Sequence, residues 1–113
     1  MAVDMDMDIE CLELCAAMNM MPGIETVASC CGHGEHPYHI WFKATGLRVI
    51  PRLLYYFDGC HCGYYGWRVI ACTDCAMSPV TFMVEGPSDL AVAREQSKQI
   101  ASLLQGDTRR RRG

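Results

Sequence analysis

The sequence predicts an α+β sandwich: element order α-β-β-α-β-β-α, a mostly antiparallel four-stranded sheet, and helices packed on one face. Three observations predict it. Two pairs of short segments alternate apolar and polar residues, as half-buried strands do. Three longer segments repeat apolar residues every three or four positions, as helices with one buried side do. Each strand pair is followed by a helix, so a single sheet face can bury every apolar stripe at once. A chain of 113 residues is one domain. Residues 1–106 are expected to form it, with 107–113 as a basic, disordered tail.

The first helix is expected from a cap at Asp8 to about Met20. Ile9, Leu12, Ala16 and Met20 make one stripe, and Cys11, Leu14, Met18 and Met21 a second beside it; together they predict a wide buried face. Pro22-Gly23 stops the helix. Ile24 to Ser29 and Tyr38 to Lys43 read as strands joined by the seven residues Cys31 to Pro37, too few for a parallel crossover, so they form a hairpin. Plain alternation places Cys30 on a face with Ile24, Thr26 and Ala28, and Cys31 opposite. Leu47 to Phe57 reads as the second helix, beginning near Val49 or Ile50 so that Pro51 falls in its first turn. Asp58-Gly59 ends it, and Cys60 to Gly66 reads as loop. Trp67 to Cys72 and Val80 to Glu85 form the second hairpin around a turn at Thr73 to Pro79. Ser88 is the expected cap of the last helix, where Leu90, Ala93, Ser97, Ile100 and Leu104 follow a helical rhythm and Gly106 is the expected stop.

Composition excludes several classes. Half the residues are apolar and a fifth charged, as in ordinary globular proteins. No apolar run reaches membrane-spanning length. The acidic start, Met1 to Glu10, lacks the pattern of a secretory leader, and a cytoplasmic protein with free thiols is expected. Ten Lys and Arg face thirteen Asp and Glu, and four of the ten are Arg109 to Arg112. The rest of the chain therefore stands at six against thirteen, a net charge of −7 that suits no phosphate backbone. Nucleic acid is expected to be met only through the Arg109–Arg112 tail, and Arg48, Arg52 and Arg68 are the basic residues placed to meet an anion near the sheet.

One segment exceeds what packing requires: Ser29-Cys30-Cys31-Gly32-His33-Gly34-Glu35-His36. Zinc is a candidate cofactor, since Cys30, Cys31, His33, His36, His39, Cys60, His61, Cys62, Cys72 and Cys75 are its preferred donor types. Only Cys72-Thr-Asp-Cys75 has C-x-x-C spacing, and no second such pair accompanies it. A redox role for that pair lacks the helix N-terminus that lowers a thiolate pKa. A nucleophile at Cys30 or Cys31, armed by His33 or His36, lacks an identifiable group to orient the base. Gly32 and Gly34 permit positive φ, so successive N–H groups can line an anion-binding concavity, with His33 and His36 adding hydrogen bonds or charge.

The segment Pro22-Gly-Ile-Glu-Thr-Val-Ala-Ser-Cys-Cys-Gly-His-Gly34 resembles a group of short proteins of phages and bacteria that carry PGIxTxxSCCGHG, as do the Ile40-Trp-Phe42 strand, Val80 to Gly86 and the final helix. That resemblance implies a family and no activity. Ser29, Cys30 and Gly32 are also similar to the Ser-Cys-Ser-Gly-Arg type motif of the tRNA wybutosine-synthesising protein 3 family, SAM-dependent methyltransferases. Cys31 and His33 stand where that family has a small residue and arginine. The likeness implies that the loop after the first strand lines the functional pocket. SAM is not expected as a cofactor. The expected function is a small binding protein, of phage type, that holds a small anionic ligand or nucleotide through Ser29, Cys30, Cys31, Gly32, His33, Gly34 and His36. The alternatives are an RNA-modifying, methyltransferase-like enzyme and a zinc-stabilised interaction module.

Overall fold

The computed structural model describes residues 11–32, 35–46, 48–59, 63–64, 66–72 and 81–112. The element order is α1 (Leu12–Asn19), β1 (Ile24–Cys30), β2 (His39–Ala44), α2 (Val49–Phe57), β3 (Arg68–Cys72), β4 (Thr81–Glu85) and α3 (Leu90–Arg112). The sheet is four-stranded, antiparallel throughout, in the order β1-β2-β4-β3. The predicted architecture is the observed one. Among the described residues no helix is long and apolar enough to cross a membrane.

Register places two rows on the helix side of the sheet: Ser29, Ile40, Val84 and Val69, then Thr26, Phe42, Phe82 and, exposed on the edge strand, Ala71. Ile40, Phe42 and Val84 are fully buried and share one core with Leu14 and Met18 of α1, Leu53 of α2, and Ile100 and Leu104 of α3. Phe42 stacks on Phe82 with ring centroids 5.4 Å apart. The opposite face carries Ala28, Trp41, Met83 and Ile70, all partly exposed.

Several local expectations change. Only the second α1 stripe is buried: Cys11, Leu14, Met18 and Met21 lie in the core with Cys15 and Ala17, whereas Leu12 and Ala16 face solvent. A helix lying on one sheet face has room to bury about one side. Asp8 and Ile9 lie outside the described residues.

In β1 the alternation breaks. Thr26 pairs with Phe42 but Ala28 with Trp41, so one extra residue intervenes. This bulge reverses the facing of everything after it. Ser29 joins Thr26 on the core face, and Cys30 shares the open face with Ala28, opposite His39. The expected grouping of Cys30 with Ile24 and Thr26 is therefore corrected. Asn19 secures the bulge: its Nδ2 donates to Thr26 Oγ1 at 2.8 Å, and Thr26 N donates to Asn19 Oδ1 at 2.9 Å.

Asp89, not Ser88, caps α3, accepting from Val92 N through Oδ1 at 3.1 Å. Gly106 does not end that helix. α3 runs on to Arg112, with Asp107 and Thr108 buried, so the segment expected as a disordered tail is helical to that point. Pro51 sits in the first turn of α2, where no intrahelical N–H bond is lost.

Candidate functional site

The structure divides the residues of the Ser29–His36 loop instead of gathering them. Ser29 points into the core, where its side chain and that of Thr26 hydrogen-bond the Cys15 thiol. Burial pushes that thiol up to about 11, against the pull of those two hydrogen bonds, so it stays protonated and inert at neutral pH. Cys31 is buried at 2% exposure. Cys30 lies on the open face, and its Sγ accepts from Gly32 N at 3.4 Å. His36 is exposed. His33 and Gly34 lie outside the described residues.

Three backbone N–H groups of the loop's described part are used within the loop itself. Gly32 N is on Cys30 Sγ, while Glu35 N and His36 N both donate to the Gly32 carbonyl, at 2.9 and 3.0 Å. Gly32 has φ +81°, and a Cβ there would meet the Pro37 carbonyl carbon and oxygen at 3.1 Å. Its role is to let the chain turn back under Pro37. Changing Gly32 to Ala is expected to cost about 2 kcal/mol, from left-handed backbone strain plus the contact, read as a lower urea midpoint.

Among the described residues no three His, Cys, Asp or Glu side chains converge as metal donors. The zinc candidates His33, Cys60, His61, Cys62 and Cys75 lie outside the described residues. His39 is placed by its Nδ1, which donates to the Pro37 carbonyl at 3.1 Å.

Charge and space coincide elsewhere, at the other end of β1. A cleft of about 380 Å³ opens where Pro22-Gly23 leads into β1, Thr45-Gly46 leaves β2, and α2 begins. Arg48, Val49 and Arg52 complete its wall. No side chain caps α2, and its first turn holds no acidic residue. The positive end of the α2 dipole therefore adds to the two guanidiniums. Gly23, with φ +89°, passes so close that a Cβ would lie 2.9 Å from Thr45 Oγ1. Its carbonyl accepts from Thr45 N at 2.8 Å, which fixes the two chain segments flanking the cleft.

Arg52 is held from behind. Its Nη2 donates to Asp107 Oδ2 at 2.9 Å, and Asp107 also accepts from Arg111 Nε at 3.1 Å. Burial acts to raise the Asp107 carboxyl pKa, but hydrogen bonds from Arg52, Tyr56 and Arg111 outweigh it and hold the group below the ordinary carboxylate range. Arg52 Nε is buried with no hydrogen-bond partner among the described residues.

Of the basic residues expected near an anion, Arg48 and Arg52 meet at this cleft. Arg68 instead pairs across the sheet, Nε to Glu85 Oε1 at 2.7 Å. Sequence reasoning missed Asp107 because it stopped the helix at Gly106. The available signal was the continued helical spacing of Leu104, Asp107, Thr108 and Arg111. No family model, curated protein or solved structure matches this chain.

Proposed function

We propose that this protein binds a small anionic ligand, and that the ligand sits in the α2 cleft rather than on the Ser29–His36 loop. The observation that carries the reading is Arg52. Asp107 fixes it from one side, and it lines the cleft together with Arg48. Guanidinium N–H groups on the wall of a cleft are charge-assisted donors that match a small oxyanion. The α2 N-terminus favours the same charge. The loop offers less, because three of its backbone donors are used within it.

The test is calorimetric titration of the full chain with inorganic phosphate and pyrophosphate at low salt. Saturable binding is expected for the wild-type chain. Arg48 is exposed, so Arg48→Met should preserve the melting temperature while weakening binding about tenfold, as for loss of one charge-assisted hydrogen bond. The same affinity in both chains would overturn the assignment of the cleft.

A further inference from the structure

We infer that the ligand is a nucleoside phosphate, its phosphate between Arg48 and Arg52 and its base against Tyr55 beside Tyr56. This rests on the anion-binding reading of the α2 cleft and adds the chemical class.

A second cavity of about 420 Å³ lies farther along α2, lined by Pro51, Arg52, Tyr55, Tyr56 and Arg111. Arg52 belongs to the walls of both cavities. Both volumes fall in the range of small-molecule sites. Arg48, Arg52 and Tyr55 succeed one another at spacings of four and three residues, so they lie along one side of the helix. The rise from Arg48 to Tyr55 is about 10 Å, a length that an extended nucleoside phosphate covers. One end of that track is cationic and the other aromatic.

The aromatic end is built to present a ring. Tyr55 is 49% exposed, and its ring meets Tyr56 edge to face at 5.0 Å between centroids. Tyr56 is fixed in turn, its hydroxyl donating to Asp107. Asp107 also holds Arg111, which lines the same open pocket. Tyrosine rings and guanidinium planes are the surfaces on which bases stack. Two pockets of this size side by side suit a single nucleotide.

Titration of the full chain with inorganic phosphate, ribose 5-phosphate, adenosine 5′-monophosphate and a single-stranded oligonucleotide tests this. The mononucleotide is expected to bind about tenfold more tightly than ribose 5-phosphate, the size of one stacking contact. Tyr55→Ala should erase that difference and leave ribose 5-phosphate binding unchanged, while Tyr55→Phe keeps it. Unchanged circular dichroism and melting temperature in Tyr55→Ala identify the loss as local. Equal binding of the mononucleotide and ribose 5-phosphate would overturn the nucleoside assignment and leave the anion site standing. Tighter binding of the oligonucleotide than of the mononucleotide would also overturn it. If none of the four binds, both readings fall together.

Discussion

Replacing Gly86 with alanine is expected to destabilise the protein by about 3 kcal/mol, the upper end of overpacking costs. Gly86 lies in the chain just after β4, where its N–H donates to the Tyr38 carbonyl at 2.7 Å and so extends the sheet ladder. The Trp67 ring lies directly on it. A Cβ at Gly86 would stand 2.6 Å from Trp67 Cζ3, closer than carbon atoms approach without displacement. Trp67 cannot retreat cheaply. It is buried, packs edge-on against Tyr38 at 5.2 Å, leans on Phe57 at 5.8 Å, and donates from Nε1 to Gln96 Oε1 at 2.9 Å. Moving it would disturb the join between sheet, α2 and α3 together. Chemical denaturation followed by tryptophan fluorescence checks this. A Gly86→Ala midpoint equal to wild type would show that the ring moves freely.

Asp107→Asn is expected to cost about 2 kcal/mol at pH 7, as for loss of hydrogen bonds to a charged group. The full penalty of a broken buried pair is not expected, because Arg52 remains 25% exposed and keeps part of its hydration. The effect depends on pH with a definite sign. The folded carboxyl titrates below its unfolded value, so its contribution is fully present above the unfolded pKa, about 3.9. It is lost as pH falls through the folded value. The difference in urea midpoint between wild type and Asp107→Asn should therefore be constant from neutral pH down to about pH 5 and shrink below about pH 4. A difference that persists unchanged at pH 2 would locate the effect in packing rather than in the charge. Because Asp107 joins α2 to α3, amide exchange should quicken in both helices of the variant.

The elements whose residues alternate or repeat over several turns were legible in the chain. The β2 alternation of Ile40 and Phe42 against His39 and Trp41, and the α3 series Ala93, Ser97, Ile100 and Leu104, are buried as their periods require. Periodicity reports burial, and one residue of error changes it throughout an element. That sensitivity explains the failures. The extra residue in β1 has no composition of its own, so plain alternation groups Cys30 with Ile24 and Thr26, from which the bulge separates it. Gly106 carries the usual mark of a helix stop, but the contacts of Asp107 with Arg52 and Arg111 outweigh its cost of about 1 kcal/mol.

The candidate site divides along the same line. The sequence marked Ser29 to His36 because its residue types are chemically able, and it marked Arg48 and Arg52 as cations near the sheet. It did not show which group faces a cavity. Facing follows from the β1 bulge, from α2 beginning at Val49 beside Gly23, and from Asp107 returning across 55 residues to hold Arg52. By itself the sequence determined the order of elements, the antiparallel hairpins and the side of β2 and α3 that is buried, because these depend on neighbours a few positions apart. The tertiary structure alone decided that Ser29 and Cys31 point inward and that the arginines of α2 and α3 meet on one carboxylate. Those outcomes depend on contacts between residues far apart in the chain, for which local spacing carries no signal.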